Sequence, residues 1–241
     1  MDKFLLLVAT LFLSHFLGAQ TLIKAGDPAL RYDLIQSSSE LNKITMLDSS
    51  GKVLANFLSQ DVITVDRSKG LLFRVQSNIL PDGRLLKDST VADLKTLAPV
   101  RMRMITFPHF MNMLLDFQPT QVHAIAERGG KTTDTVHNMT AGYFDSNLIE
   151  YVLGLLPYKK GLHVVLNAYT FERNGMDPYE VEYVGEDWLV TVSGNRVACF
   201  LAKTGSSGKP MDAFVWVEKS TGKVLKRVVP IGRNYYMITK V

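Results

Sequence analysis

The chain has 241 residues, a formal net charge of +4, a pI of about 9.0 and 46% hydrophobic residues. Its lysines and arginines are scattered, which argues against a dedicated nucleic-acid groove and leaves a mild attraction to anionic lipid surfaces. Cys199 is the single cysteine in the sequence, so an internal disulfide is excluded.

The first 20 residues, 1–20, are typical of a secretory signal peptide. Residues 1–3 are a short charged start, residues 4–17 are almost wholly apolar, and residues 18–20 end the segment with small residues suited to cleavage. The alternative is a membrane anchor, but the apolar run is short of the roughly 20 residues that a span needs. No later stretch is apolar enough to cross a membrane. The sequence therefore predicts an exported, periplasmic protein.

From residue 31 the sequence alternates apolar and polar residues with turns at close intervals, which is typical of an antiparallel sheet. Turns are predicted at residues 49–51 and 68–70, and a longer loop at residues 78–87. The strands predicted before the helix span residues 32–36, 43–48, 53–58, 62–66, 71–77, 90–94, 100–107, 110–117, 121–127 and 132–137.

One helix is predicted with good support, over residues 147–156. At about 100° per residue, its seven apolar side chains cover an arc of about 200°, wider than the usual apolar stripe. Asp145 or Asn147 can cap its start, and Pro157 ends it because a residue before proline avoids the helical region. Glu150 lies on the narrow polar edge, where its truncation is expected to change stability little. A helix this apolar must be covered on most sides.

The chain returns to strands after the helix, first at residues 162–171. Clean alternation at residues 179–184 and 188–192 predicts a hairpin around Gly185-Glu186. The final strands are predicted at residues 196–203, 213–218, 224–229 and 235–240. No long linker divides the chain, so residues 21–241 are expected to form one domain. The predicted fold class is all-β with one central helix, in which a strongly curved antiparallel sheet, a half-barrel, wraps the helix.

Two predicted turns resemble each other. Residues 91–101 and residues 216–226 both contain a strand, an acidic residue, a Thr at the turn and a basic residue on the next strand. Because a Thr hydroxyl can bond to turn backbone, the simpler interpretation is that two hairpins share their turn chemistry. The alternative is a duplicated half-sheet with the helix between its parts.

The sequence has no strong signature of catalysis. It lacks a Gly-x-Ser-x-Gly nucleophile elbow, and residues 205–209 lack the spacing and the final Ser or Thr of a phosphate-binding loop. Acidic residues cluster within residues 172–187, where paired carboxylates could hydrolyse glycosides, but most flank turns or alternate along a strand. No zinc-like spacing links the histidines His109, His123, His137 and His163. The sequence predicts no enzyme, no metal and no cofactor.

Four methionines lie on two consecutive predicted strands. Met102 and Met104 are two residues apart, as are Met111 and Met113, so each pair shares one face of its strand. Converging thioethers suit Cu(I). The favoured interpretation is an adaptable apolar wall, because methionine fills irregular gaps.

Three segments together resemble a known group of proteins. They are residues 93–100 (Asp-x-x-Thr-Leu-x-Pro-Val), residues 144–157 (Phe-Asp-Ser-Asn-Leu, closing in Leu-Leu-Pro) and residues 216–225 (Trp-Val-Glu-Lys-x-Thr-Gly-Lys-Val-Leu). Behind a signal peptide they resemble an uncharacterised periplasmic β-domain family of bacteria, a domain of unknown function. The end of the signal is similar to those of the Bacteroidota.

The shape of this family is similar to that of the lipoprotein-sorting carriers of the LolA/LolB type, in which a curved half-barrel wraps a helix. The resemblance implies an apolar cavity that shields acyl chains, and it transfers no catalytic residue. We therefore predict a non-catalytic envelope protein that binds a lipid or the acyl part of a lipoprotein between sheet and helix. The predicted lining residues are Met102, Met104, Met111, Met113, Leu148, Tyr151, Val152, Leu155, Val164 and Leu166.

Two alternatives remain open at the level of sequence. The first is a structural or partner-binding periplasmic module whose hollow is filled by its own side chains. The second is an enzyme acting on envelope carbohydrate. The volume of the cavity between helix and sheet distinguishes the lipid binder from the self-filled module.

Overall fold

The computed structural model describes residues 20–107, 111–173, 175–191 and 194–240. Residues 1–19, which carry almost all of the predicted signal peptide, lie outside the described residues, as does His109. The described part of the chain is mostly β-strand and contains a single short α-helix.

Short turns connect most of the strands, so that neighbours in sequence are usually neighbours in space. The described strands are β1 (Thr21–Ile23), β2 (Ser38–Leu47), β3 (Val53–Asp66), β4 (Leu71–Ile79), β5 (Leu85–Asp93), β6 (Pro99–Phe107), β7 (Met111–Gln118), β8 (Gln121–Arg128), β9 (Lys131–Asn138), β10 (Phe144–Asp145), β11 (His163–Leu166), β12 (Ala168–Thr170), β13 (Gly175–Met176), β14 (Tyr179–Val190), β15 (Arg196–Ser206), β16 (Ala213–Glu218), β17 (Val224–Ile231) and β18 (Asn234–Lys240).

Fifteen of these strands form one large curved sheet, while β10, β12 and β13 form a small second sheet. Neighbours in the large sheet are antiparallel, except that β1 runs parallel to β11. The pairing that joins the two halves of the chain is between β18 and β2, where Tyr235 lies opposite Leu47 and Lys240 opposite Asn42. The sheet ends at β1 on one side and at β9 on the other, so it is not closed into a barrel.

The helix, α1 (Ile149–Gly154), follows a 3-10 turn at Ser146–Leu148. The carboxylate of Asp145 caps this turn by accepting a hydrogen bond from the backbone amide of Asn147. The predicted helix of residues 147–156 is therefore present but shorter, because its first residues adopt the tighter 3-10 form. No helix in the described part of the chain has both the length and the hydropathy that a membrane span needs.

Two clusters of buried side chains form the core. The larger cluster joins Leu148, Val152 and other residues of the helical segment to inward-facing residues of β3–β5 and of β14–β17. The helix therefore packs against both halves of the large sheet. The smaller cluster is rich in methionine and aromatic residues and contains Met102, Met113, Leu115, Phe117, Val122, Ala124, Met139, Tyr143 and Tyr169.

The strand predicted at residues 32–36 is wrong. Tyr32–Leu34 is a 3-10 turn, closed by the amide of Leu34 donating to the carbonyl of Arg31. The amide of Arg31 in turn donates to the carbonyl of Leu155 at 2.9 Å, just after helix α1. The segment is thus tied to the helix, and its alternating pattern reflects burial against the core, not pairing in a sheet.

One strand break predicted in the first half of the chain is also wrong, and one predicted loop is too long. The strands predicted at residues 53–58 and 62–66 are one strand, β3, and the loop predicted at residues 78–87 shortens to residues 80–84. These strands pair along their length, β3 with β2 and β4, and β4 with β5. Polar residues interrupt the apolar pattern here, but their backbone groups still form the hydrogen bonds between neighbouring strands.

The hairpin predicted around Gly185-Glu186 is wrong as well. Strand β14 runs unbroken through this point and pairs along its length with β15. A β-bulge between Tyr183 and Gly185 shifts the register there. A glycine within an alternating pattern marks a bulge or a turn, so the pattern alone does not distinguish the two.

The two similar turns do share their hydrogen bonds. The carboxylate of Asp93 accepts a bond from the hydroxyl of Thr96 at 2.7 Å, and the carboxylate of Glu218 accepts one from the hydroxyl of Thr221 at 2.5 Å. Each threonine hydroxyl also accepts a bond from the backbone amide two residues later, at 3.2 Å in both turns. Shared turn chemistry therefore accounts for the similarity.

Candidate ligand-binding cavity

A cavity of about 620 Å³ lies between the inner face of the large sheet and helix α1. It is located where β18 pairs with β2, so both halves of the chain contribute to it. One wall is apolar, because the register sets Ile238, Ile44 and Phe57 side by side on adjacent strands. The rings of Phe57 and Tyr236 meet edge to face at 6.4 Å on this wall, and Val229 lines it from β17.

The cavity also has a polar lining, and Arg74 on β4 is its most buried charge. Its guanidinium forms a bidentate ion pair with Asp61 on β3, with Nη2–Oδ2 at 2.6 Å and Nε–Oδ1 at 3.0 Å. Its Nη1 also donates to the backbone carbonyl of Asn147 in the 3-10 turn before the helix. Arg74 therefore connects the sheet to the start of the helical segment.

A second ion pair connects helix α1 to β17. The Oε2 of Glu150 lies 3.0 Å from Nη1 of Arg227, and the two side chains are only 18% and 20% exposed. Burial alone would raise the pKa of Glu150, but the charges of Arg227 and Arg74 outweigh it and hold that pKa below its ordinary value. Glu150, on the predicted polar edge of the helix, is therefore largely buried in an ion pair with β17, and its truncation is now expected to lower stability.

Three further polar side chains at the cavity, Tyr179, Ser206 and Asp177, already have partners. The hydroxyl of Tyr179 donates to Thr204 at 2.8 Å, and the hydroxyl of Ser206 donates to Asp177 at 3.3 Å. The side-chain amide nitrogen of Asn147 differs, since it is buried and has no hydrogen-bond partner among the described residues. The polar lining thus combines matched charges with the buried free donor of Asn147, an environment suited to a neutral polar group.

The ten residues predicted to line a ligand site lie elsewhere among the described residues, and none of them borders this cavity. The larger core cluster takes up Leu148, Val152, Leu155, Val164 and Leu166, with Tyr151 packed against it. A ligand-lining role for these residues stays a prediction. The residues that do line the cavity come from strands whose pairing could not be read from the sequence, although the alternation of Tyr236 and Ile238 was visible.

The four methionines share the inner face, as their spacing predicts. Met104 lies directly opposite Met113 across β6 and β7, and Met102 and Met113 belong to the smaller core cluster. Met111, at the start of β7, is half-buried and lies opposite Thr106. Within the described residues no group of three or more His, Cys, Asp or Glu side chains is placed to hold a metal ion. The choice between apolar wall and Cu(I) site stays a prediction.

Three of the acidic residues considered for carbohydrate chemistry, Asp177, Glu186 and Asp187, have separate partners. Asp177 pairs with Arg173 at 2.6 Å, and Glu186 pairs with Lys219 at 2.6 Å. The carboxylate of Asp187 accepts a bond from the indole of Trp216 at 2.8 Å. These three carboxylates, which lie on β14 or just before it, thus each have a different partner.

The fold and the cavity define a mostly-β protein in which a large open sheet packs against one short helix beside an amphipathic hollow. A family model, "Protein of unknown function (DUF3108)", matches residues 59–239. The chain therefore belongs to the DUF3108 family, and the resemblance to an uncharacterised β-domain family is confirmed. A comparison with curated proteins found no match.

Two solved structures are similar to the chain. One is a β-barrel-like protein of the domain of unknown function DUF1849 from Brucella abortus, with a TM-score of 0.55, 9% identity, and coverage of 88% of this chain and 98% of that one. The other is the hypothetical lipoprotein YmcC from Escherichia coli (K12), with a TM-score of 0.31, 11% identity, and coverage of 89% of each chain. At this identity the first likeness extends to the fold alone.

Proposed function

We propose that the protein is a non-catalytic, exported envelope protein that binds the acyl part of a lipid or of a lipoprotein. In this proposal the curved sheet wraps helix α1, and the ligand occupies the cavity between them. The observation that carries the proposal is the cavity itself, about 620 Å³ in volume with one continuous apolar wall. Export follows from the signal-like segment of residues 1–20.

The size and polarity of the cavity support an acyl ligand. Its volume falls within the roughly 300–1,000 Å³ that is usual for small-molecule sites. Each methylene group buried against Ile44, Phe57 and Ile238 would contribute about 0.8 kcal/mol. The polar end of the ligand would meet the free amide of Asn147. Because both guanidinium groups are already paired, a neutral ester, amide or hydroxyl suits this position better than a free carboxylate.

The ion pairs around the cavity support a binding role without catalysis. A general acid or base needs a group free to exchange a proton near the operating pH. The carboxylates of Asp61 and Glu150 are instead fixed by arginines, and the pKa of Glu150 is lowered away from neutrality. These groups support the position of the helix and leave the cavity to a ligand.

The test is a titration with a fluorescent fatty acid ester, with one pair of variants on β17. Val229 lines the cavity, whereas Val228 is its neighbour on the opposite face of the strand. We expect Val229→Trp to weaken probe binding at least tenfold and Val228→Trp to leave it within about twofold. Absence of probe binding to the parent protein, or equal loss in both variants, would favour the self-filled module instead.

Native mass spectrometry adds the identity of the ligand. Protein purified from its own envelope is expected to carry a mass that corresponds to an acyl compound and that organic extraction removes. The Val229→Trp variant should carry less of it than Val228→Trp. Protein that is free of ligand in both variants, and that also fails to bind the probe, would contradict acyl binding.

A further inference from the structure

Exposed apolar side chains are concentrated at the end of the sheet to which the cavity extends. Leu80 and Ile231, which border the cavity, lie at this end beside the β4–β5 and β17–β18 turns. Eight of the fifteen large apolar residues that are exposed in the described structure lie here. We call them the mouth rim: Val53, Leu54, Leu58, Ile79, Leu85, Phe107, Ile231 and Tyr235.

The strand register makes half of the mouth rim continuous. Leu58 lies opposite Ile79, Ile79 opposite Leu85, and Leu85 opposite Phe107, so four side chains form one row across β3–β6. They are 39–66% exposed. With adjacent strands about 4.8 Å apart, the row extends for about 14 Å. Single exposed apolar residues are ordinary, but a row of this length marks an interaction surface.

Exposed apolar residues at the other end of the sheet are arranged differently. Trp188 and Val190 are as exposed as the rim, at 56% and 68%, but they belong to one strand near the tip of the β14–β15 hairpin. The guanidinium of Arg196 lies 5.1 Å from the centre of the Trp188 ring and covers part of it. Neither residue borders the cavity, so this pair serves as a matched comparison for the rim.

Four of the turns that flank the mouth rim each carry a basic residue. These are Lys52, Arg84, Lys209 and Arg233, on four turns at the same end of the sheet. Of the acidic residues on these turns, Asp48 accepts bonds from its own turn and Asp82 pairs with Arg84, while Asp212 is exposed. Basic side chains around exposed apolar residues are typical of surfaces that lie on anionic lipid, because the stems bury while the charges reach the headgroups.

We propose that the mouth rim docks on an anionic lipid bilayer, so that the cavity faces the acyl layer. The row across β3–β6 would enter the headgroup boundary, and the basic turn residues Lys52, Lys209 and Arg233 would contact lipid phosphates. The chain's net charge of +4 adds to this attraction. Docking goes beyond acyl binding and does not require it, since the row lies on the outside of the sheet.

Vesicle flotation tests the proposal with matched variants. Vesicles made of equal parts phosphatidylcholine and phosphatidylglycerol are expected to float the purified protein, whereas pure phosphatidylcholine should float much less. Ile79→Ser with Phe107→Ser should weaken binding about tenfold or more, and Trp188→Ser with Val190→Ser should leave it within about twofold. Lys52→Gln with Arg233→Gln should weaken binding about 25-fold, since each basic residue near such a surface contributes about fivefold. Equal loss in the two serine pairs, or no flotation of the parent, would overturn the proposal.

A fluorescent label fixes the orientation. In a Cys199→Ser background, a nitrobenzoxadiazole group on Ile79→Cys is expected to shift to the blue on vesicle binding, and the same group on Val190→Cys is not. A shift at both positions, or at neither, would refute docking through the rim. A blue shift at Ile79→Cys that grows with protein concentration in the absence of vesicles would assign the rim to a second copy instead. The fatty ester titration separates the two proposals, because rim variants should keep their probe affinity.

Discussion

Helix α1 and the β16–β17 turn approach each other through two glycines, and this contact can be tested with single methyl groups. A Cβ built on Gly154 would overlap the carbonyl oxygen of Gly222, which is a backbone atom that cannot turn away. A Cβ built on Gly222 would lie 2.5 Å from the carbonyl oxygen of Gly154 and 3.0 Å from Leu34. Either substitution must therefore move the helix away from the turn.

The expected magnitudes follow from backbone preference and overlap together. In an open helix, Gly→Ala stabilises by roughly 0.5–1 kcal/mol. At Gly154 the sign should reverse, with a loss of about 1–3 kcal/mol, because overpacking displaces backbone. Gly222 has a φ of 71°, so Gly222→Ala adds about 1–2 kcal/mol for the left-handed conformation. We expect a total loss of about 2–5 kcal/mol there.

Gly208 is the matched control, because its φ is 76° and a Cβ there would meet nothing within 4 Å. Gly208→Ala should cost only the conformational part, about 1–2 kcal/mol. Urea unfolding followed by circular dichroism measures all three variants. If Gly154→Ala were as stable as the parent, or if Gly222→Ala lost no more than Gly208→Ala, the helix and the turn would not be in backbone contact.

Four further predictions concern buried groups. Leu148 and Val152 are fully buried. In thermal unfolding, Leu148→Ala should therefore cost about 2–5 kcal/mol and Val152→Ala about 1–3 kcal/mol. If both variants were as stable as the parent, the helix would lie at the surface. Glu150→Ala should lower the free energy of unfolding by about 2–4 kcal/mol, because it leaves the buried charge of Arg227 unpaired. The control is Asp116→Ala, which removes one partner of the more exposed pair with Arg101 and should cost at most about 1 kcal/mol. Equal costs would contradict a buried pair at Glu150. The pKa of Glu150 is lowered in the folded state, so its ion pair stabilises the protein fully above the ordinary pKa of 4.5 and is lost as pH falls through the folded pKa. In Glu150→Gln the free energy of unfolding should therefore fall less steeply with acidification over this range. Burial raises the pKa of Cys199 to about 11, so only about one thiol in a thousand is ionised at pH 8. Ellman's reagent should therefore label this thiol only after unfolding. Rapid labelling of the native protein would show that the thiol is accessible.

Local features of this fold could be predicted from the sequence because they depend on neighbours along the chain. The capping role of Asp145 and the shared bonds of the Thr96 and Thr221 turns involve residues within three or four positions of each other. That Met102 shares a face with Met104, and Met111 with Met113, follows in the same way from the period of two in a strand. Such features need no knowledge of which strands pair.

Features that depend on distant pairing could not be predicted. Glu150 has the right periodicity for a polar edge, but its partner Arg227 is 77 positions away and is brought to it by the sheet. The apolar wall of the cavity exists because β18 pairs with β2, almost 200 residues apart in the chain. Alternation identified inward-facing residues correctly, but it does not tell a filled core from a hollow.

The position of the cavity follows from how helix α1 is held at its two ends. At the C-terminal end, Gly154 lies in backbone contact with Gly222, and nothing separates helix from sheet. At the N-terminal end, contact is made through long side chains, with Arg74 reaching the carbonyl of Asn147 and Arg227 reaching Glu150. Helix α1 thus touches the β16–β17 turn directly at one end and is also tied to the sheet by two arginine side chains near the other. The cavity of about 620 Å³ lies beside these arginines, whereas the pocket that borders Gly222 has a volume of about 50 Å³.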